Sequence, residues 1–255
     1  MIRARLSFLM LFALASPTLA DTPSPVADGA KLEKVAGGFK FTEGPAPDAD
    51  GNVYFTDQPN DRILKWSVAD GKVTTFMEPS GRSNGLAFDK NGTLWACADA
   101  QNELWKIDVK TKEKTVVVKD FGGKLLNGPN DVWVRDDGSA FFTDPFYKRP
   151  YWKRGPKEQD EAVYFLSADG KLSDRKLFCA QGSDGMTIDE QGNVYLTGKG
   201  VTVYDAGGKK VAQIDVPEPW TANVCFGGKD GKTLFVTAGT GLYSIPMKVK
   251  GAARQ

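Results

Sequence analysis

Apolar and polar positions follow one pattern that recurs five times along the chain. A polar residue opens a short apolar strand, a glycine turns the chain eight positions later, and a second strand of β-forming residues follows. The openers are Glu43, Asn84, Asn130, Asp184 and Asn223, and the turn glycines are Gly51, Gly92, Gly138, Gly192 and Gly231. Repeats of four short strands over about 40 residues are typical of propeller blades, so the pattern predicts an all-β β-propeller with five readable repeats.

The last of these repeats has too few strands for a complete blade. It ends near Met247 after only about three strands. Residues 32–35, ahead of the first opener, can supply the missing strand. We therefore predict a ring that is closed by an N-terminal strand.

The first twenty residues have the pattern of a secretory signal peptide. Arg3 and Arg5 precede an apolar stretch at 6–15, and small residues follow it. This stretch is too short to span a bilayer, so we expect no membrane anchor. The predicted organisation is a signal peptide at 1–20 and a propeller domain at 21–255, in a protein exported to the periplasm or secreted.

Composition narrows the chemistry that this domain can perform. The 33 basic and 32 acidic residues are scattered, so no nucleic-acid partner is expected. The chain has no histidine, which excludes a Ser-His-Asp triad and any imidazole-bound zinc or iron. Cys97, Cys179 and Cys225 lack metal-type spacing and are interpreted as buried apolar residues. A catalytic metal would therefore be a hard, oxygen-bound cation such as calcium or magnesium.

The first strand of each blade lines the axis of a propeller, so the openers should form a ring of oxygen-bearing side chains. One interpretation is that they are turn residues, and it accounts for Asn84 and Asn223. It does not account for Glu43, because Glu has little turn preference. Polar groups that converge where water is scarce are costly unless something pairs them, and Ca²⁺ binds about six to eight oxygens. We therefore favour a metal site over the turn interpretation.

Short motifs surround the openers in a fixed order. They are Glu43-Gly44-Pro45, Pro129-Asn130-Asp131, Thr143-Asp144-Pro145, Ser183-Asp184-Gly185-Met186 and the closing run from Pro217 to Gly228. As an ordered set covering nearly all of the mature chain, they resemble the SMP-30/gluconolactonase/LRE-like family. The resemblance implies a hydrolase of lactones or related esters that uses Ca²⁺, or another divalent cation such as Mg²⁺ or Mn²⁺, in the channel.

The same resemblance implies roles for individual residues. Glu43 and Asp184 match metal-ligand carboxylates, and Asp184 also matches the family's proposed acid/base. Asn130 matches an asparagine that binds the metal or the substrate. Independently of the family, Arg82 lies two residues before an opener and is a candidate substrate contact at the rim. The expected partner is a small lactone or ester, and the sequence does not fix an oligomeric state.

The chain departs from the family pattern in the number of repeats. Family members have six blades, and one of them, opened by Pro-Asn-Gly, normally lies between the strand at 163–166 and the run at 177–178. Here residues 168–173 pass directly from one flank to the other. Either five blades close the ring, or six-blade geometry persists with a gap. Because a metal ligand is lost with the blade, a non-catalytic propeller that binds a small ligand or a protein partner is the alternative function.

One long loop and two tryptophans are further features of the sequence. The long loop at 146–162 carries several aromatic and basic residues, and it is either a lid over the substrate or a solvated, mobile loop. Trp133 and Trp220 are expected to be packing residues.

Overall fold

The structure is a computed structural model that describes residues 23–160, 162–166, 181 and 183–252. The predicted signal peptide, Cys179 and the junction at 168–173 lie outside these residues. The other two cysteines, Cys97 and Cys225, are buried, as predicted.

Short strands joined by tight turns form almost all of the regular structure. In chain order the strands are β1 (Glu33–Gly37), β2 (Thr42–Pro47), β3 (Val53–Asp57), β4 (Arg62–Trp66), β5 (Val73–Met77), β6 (Ser83–Phe88), β7 (Leu94–Ala98), β8 (Glu103–Ile107), β9 (Lys114–Val118), β10 (Asp120–Phe121), β11 (Lys124–Leu125), β12 (Val132–Val134), β13 (Ala140–Asp144), β14 (Ala162–Phe165), β15 (Met186–Ile188), β16 (Val194–Gly198), β17 (Gly200–Tyr204), β18 (Lys210–Ile214), β19 (Thr221–Gly227), β20 (Thr233–Ala238) and β21 (Gly241–Pro246). One turn of 3-10 helix spans Gln58–Asn60. Within the described ranges, no helix has the length and apolarity needed to cross a membrane.

The strands form five antiparallel sheets and one small hairpin. The first sheet contains β2 to β5, the second β6 to β9, the third β12 to β14, the fourth β15 to β18 and the fifth β19 to β21, while β10 pairs with β11. The predicted N-terminal strand is β1, which pairs with β21 and becomes the fourth strand of the fifth sheet. The all-β prediction is confirmed, and the sheet pattern is that of a β-propeller.

Local turn chemistry explains the eight-residue offset of the repeat. The five predicted turn glycines all have positive φ angles, between 69° and 87°, which side-chain-bearing residues rarely adopt. In three of these turns an aspartate three residues before the glycine accepts two backbone N–H groups through its Oδ1 atom. These aspartates are Asp48, Asp89 and Asp189. In these three sheets the hairpin is therefore specified by residues within the turn itself.

The first strands of the sheets lie side by side along the channel. They contact one another in the order β15, β19, β2, β6 and β12. Apolar clusters fill the four corresponding spaces between sheets: fourth with fifth, fifth with first, first with second, and second with third. Most of the core is thus shared between neighbouring sheets, as expected for blades.

The third and fourth sheets differ from the other neighbouring pairs, because no apolar cluster fills the space between their described residues. On β12, Val132 and Val134 are buried against the second sheet, whereas Trp133 on the opposite face is 58% exposed. On β15, Met186 and Ile188 are 64% and 47% exposed. The expectation that Trp133 is a packing residue is therefore wrong, because the side chain stands on the face that no other described sheet covers.

Candidate active site in the channel

A pocket of about 530 Å³ opens at the end of the channel where the first strands begin. Four of the five predicted openers line it: Glu43, Asn84, Asn130 and Asp184. The remaining lining residues are Phe41, Tyr147, Arg149, Ser183, Thr197, Gly198 and Trp220. The structure therefore brings together the three predicted metal-site residues, Glu43, Asn130 and Asp184.

Backbone irregularities direct the openers toward the channel. The pairing of β2 with β3 shifts register between Glu43 and Ala46, and that of β6 with β7 shifts between Ser83 and Leu86. Such bulges bend a strand and redirect its side chains, and they are common next to active sites. In the third and fourth sheets the openers precede regular pairing altogether, two residues before β12 and β15 begin.

The fifth opener is not where the sequence pattern places it. Thr197 Oγ1 donates a 2.9 Å hydrogen bond to Ala222 O, as Thr56 Oγ1 donates one of 3.0 Å to Asn84 O. Ala222 therefore has the opener position, and Asn223 lies one residue further along. The eight-residue offset to Gly231 is misleading here, because β19 has one additional residue between the opener position and a turn that, like those of the other sheets, contains five residues.

The side chain of Asn223 instead meets that of Asp131, and neither residue lines the pocket. Each of these side chains accepts a hydrogen bond from the next backbone N–H through Oδ1, at 2.8 Å for Asn223 and 2.9 Å for Asp131. The Asn223 side chain also hydrogen-bonds the Asp131 carboxylate. The equivalent positions on β2 and β6 are Gly44 and Gly85, where a Cβ atom would overlap the next first strand. Asp131, which the repeat pattern did not single out, also contributes to the raised pKa of Glu43.

Threonines on the second strands hold this ring in place. Thr143 Oγ1 accepts a hydrogen bond from Asp131 N at 3.0 Å, and Thr197 Oγ1 accepts one from Gly185 N at 2.7 Å. Thr56, Thr143 and Thr197 each lie thirteen residues after an opener. That spacing is a sequence signal for the support of the site.

Carboxyl groups are concentrated in and around the pocket. Glu43 is only 6% exposed, and its burial, with Asp184 and Asp131 nearby, raises its pKa to about 8. Burial also raises the pKa of Asp131 to about 6, and Asp184 adds to this effect. The positive charge of Arg149 acts in the opposite direction and lowers the pKa of Glu43. Crowded carboxyl groups of this kind lack a sufficient counter-charge among the surrounding side chains.

The oxygen donors that line the pocket fit a hard divalent cation. They comprise the carboxylates of Glu43 and Asp184 and the amide oxygens of Asn84 and Asn130. Within the described part of the chain, no three His, Cys, Asp or Glu side chains are grouped closely enough to hold a metal ion by themselves. A cation would therefore need the amides, and water, in addition to the two carboxylates.

Trp220 and Asp184 form one edge of the pocket. Trp220 Nε1 donates a 2.6 Å hydrogen bond to Asp184 Oδ2, and the indole is 49% exposed. The expected packing role for Trp220 is thus wrong. The indole orients the carboxylate while leaving its second oxygen available.

The two arginines near the rim have different positions. Arg82, predicted to contact substrate, does not line the pocket: its Nη1 atom donates a 2.8 Å hydrogen bond to Pro59 O, and its guanidinium lies 4.3 Å from the centre of the Tyr151 ring. Arg149 from the long loop lines the pocket instead. Nothing in its local sequence distinguishes Arg149 from the other basic residues of that loop.

Sheets arranged around a channel, with carboxylates and amides at one mouth, are typical of a β-propeller with an oxygen-lined site. A sequence model of the SMP-30/Gluconolactonase/LRE-like region matches residues 41–176 and 151–240. The chain belongs to this family.

Individual relatives are consistent with this assignment. Gluconolactonase of Zymomonas mobilis is 27% identical over 298 aligned positions, which cover 86% of this chain and 82% of the relative. Pentonolactonase XacC of Haloferax volcanii is 39% identical over 199 positions, which cover 71% and 62% respectively. A solved structure proposed to be a gluconolactonase is 28% identical with a TM-score of 0.81, covering 89% of this chain and 96% of that one. The 298 positions exceed the 255 residues of the chain, so the Zymomonas protein has residues without a counterpart here.

Proposed function

We propose that the protein is a divalent-cation-dependent hydrolase of lactones or related esters, with Ca²⁺ as the first candidate ion. The observation that carries the proposal is the set of carboxylate and amide oxygens that the family fold brings to one pocket. The names of the gluconolactonase and pentonolactonase relatives support a sugar lactone as the substrate class.

Glu43, Asn130 and Asp184 would hold the cation. A bound cation would polarise the lactone carbonyl and lower the pKa of a nearby water. Asp184 accepts the proton as the water oxygen attacks the carbonyl carbon, and Trp220 holds Asp184 in the required orientation. The ring C–O bond then breaks, and the proton passes from Asp184 to the departing alkoxide oxygen, giving a hydroxy acid.

We further propose that the ring contains five blades, completed by β1, and keeps a widened contact between the third and fourth sheets. Three observations support this arrangement: the clusters that fill the other four contacts, the exposure of Trp133 and Met186, and the additional residues of the Zymomonas relative. Export to the periplasm or medium also remains a proposal, based on residues 1–20.

The proposed function is tested by lactone hydrolysis with and without the cation. Purified protein should accelerate the opening of glucono-δ-lactone above the spontaneous rate, measured as acid release. EDTA should remove this activity, and added Ca²⁺ should restore it. Asp184→Asn should lower kcat by about 10²- to 10⁴-fold, because the variant lacks the general base.

Asp50→Asn is the matched control, because it removes a carboxylate from an exposed turn of the first sheet. It should retain full activity. Hydrolysis that persists in EDTA, or equally in Asp184→Asn, would contradict the proposed mechanism. A protein without any hydrolytic activity would instead indicate a propeller that only binds its ligand.

A further inference from the structure

A buried carboxylate outside the pocket collects side chains from two separate loops. Asp99, just after β7, has a side chain that is only 4% exposed. Its Oδ2 atom accepts a hydrogen bond of 2.9 Å from Gln58 Nε2, one of 3.1 Å from Arg149 Nε, and a short one from the Tyr151 hydroxyl. Gln58 Nε2 also donates to the Tyr151 hydroxyl at 2.7 Å.

Aspartates at similar positions in two other sheets have a different role. Asp57, at the end of β3, accepts backbone N–H groups of Lys40 and Phe41 through Oδ1. Asp144, at the end of β13, accepts those of Asn127 and Gly128. Both carboxylates therefore fix the segment that enters their own sheet. Asp99 differs because the three hydrogen bonds described above for its carboxylate come from side chains. Two of these side chains, Arg149 and Tyr151, belong to the long loop.

Further contacts fix the long loop close to Asp99. Trp152 Nε1 donates a 2.8 Å hydrogen bond to the Asp99 backbone oxygen. The Arg82 guanidinium covers the Tyr151 ring at 4.3 Å. Between the two alternatives for this loop, a mobile solvated segment does not fit these contacts. The loop forms a fixed wall of the pocket.

The bond to Asp99 determines how Arg149 faces the pocket. Arg149 Nε is bonded to Asp99, the side chain is 28% exposed, and the residue lines the pocket together with Glu43. Because a guanidinium donates through three nitrogens in a rigid plane, fixing Nε fixes the direction of both terminal NH₂ groups. Arg149 is also the positive group whose field lowers the pKa of Glu43, so it lies close to the carboxylates.

We propose that Arg149 is a substrate-binding residue that recognises the hydroxyl oxygens of a polyhydroxylated lactone, and that Asp99 is its positioning residue. This inference rests on the proposed lactonase function and deepens it. Arg149 lies on the loop wall and is not one of the predicted metal ligands, so it selects substrates by their ring substituents. Tyr147, which also lines the pocket and lies 5.6 Å from the Arg149 guanidinium, provides an adjacent aromatic surface for the ring.

The test compares glucono-δ-lactone with δ-valerolactone, which has the same six-membered ring without hydroxyl substituents. Arg149→Gln should raise KM for glucono-δ-lactone about tenfold to a hundredfold, as expected for loss of hydrogen bonds from a charged donor. KM for δ-valerolactone and both kcat values should change little. Lys153→Gln removes an exposed charge from the same loop and should leave both substrates unaffected.

Asp99→Asn tests positioning as distinct from folding. Alone it should raise KM for glucono-δ-lactone, with kcat retained. In an Arg149→Gln background it should raise KM no further, because the two residues act through one contact. A general structural defect would instead lower kcat for both substrates and add to the Arg149→Gln effect.

Equal changes for both lactones in Arg149→Gln, or additive effects of the two variants, would overturn the inference while leaving the lactonase function intact. If the parent protein hydrolyses neither lactone, the proposed function fails independently. Calorimetric binding of glucono-δ-lactone then tests Arg149 directly. An unchanged affinity in Arg149→Gln would overturn its role.

Discussion

The contact between the first and second sheets and that between the third and fourth sheets are built differently. In the first contact Tyr54 packs edge-on against Phe88 of the second sheet, with ring centroids 5.1 Å apart. In the second, Trp133 and Met186 are mostly exposed. Where first strands approach closely, the position after the opener is a glycine, as at Gly44. On β12 that position is Asp131, which has space to reach across the channel to Asn223.

The candidate site spans both kinds of contact. Glu43 and Asn84 come from the closely packed first and second sheets, whereas Asn130 and Asp184 lie on either side of the open contact. Half of the site is therefore held by packed cores. The relative position of the other half depends on fewer contacts. A ligand that binds both halves should therefore raise the free energy of unfolding.

The largest change in the free energy of unfolding is expected from filling the open contact between the third and fourth sheets. A four-stranded blade from a six-bladed relative, inserted between Lys171 and Leu172, would cover Trp133, Met186 and Ile188. Burial of a large apolar side chain contributes about 1.5–3 kcal/mol, so the free energy of unfolding should rise by several kcal/mol. Urea denaturation measures this change, with a Gly/Ser insertion of equal length as the control. A lower stability with the blade than with the Gly/Ser insertion would indicate that five blades already close without strain.

Paired tryptophan variants sharpen the same comparison. Trp95 is 1% exposed in the core between the second and third sheets, so Trp95→Ala should lower the free energy of unfolding by about 3–5 kcal/mol. Trp133→Ala should cost at most about 1 kcal/mol, since its main recorded contact is stacking on Phe141 at 5.9 Å. Similar losses in the two variants, measured by urea denaturation, would show that Trp133 is covered in solution.

A smaller effect is expected from the cation. Ca²⁺ held by Glu43, Asn130 and Asp184 would join the packed half of the site to the open half. Saturation at about 100 times Kd should stabilise the protein by about 2.7 kcal/mol, seen as a higher Tm. Glu43→Gln and Asp184→Asn should each abolish the gain, whereas Asp50→Asn should retain it. If both pocket variants gain as much stability as the parent protein, the cation binds elsewhere.

The sequence by itself determined the strands, their turns and four of the eleven residues that line the pocket. These features depend on residues close together in the chain: positive-φ glycines such as Gly51, turn aspartates such as Asp48, and alternating strand patterns. Because a repeated local pattern produces a repeated blade, equivalent positions converge without further information. Glu43, Asn84, Asn130 and Asp184 were located in this way.

Tertiary structure decided the features that depend on spatial neighbours or on small changes in register. One additional residue in β19 puts Ala222 at the opener position and Asn223 next to Asp131, so the offset of eight from Asn223 to Gly231 does not mark an opener. Asp99 and Arg149 are 50 residues apart, and no local pattern relates them. The raised pKa of Glu43 likewise depends on its burial and on carboxylates from other sheets. Only the folded chain brings these charges and donors together, because electrostatic and hydrogen-bond energies depend on distance in space.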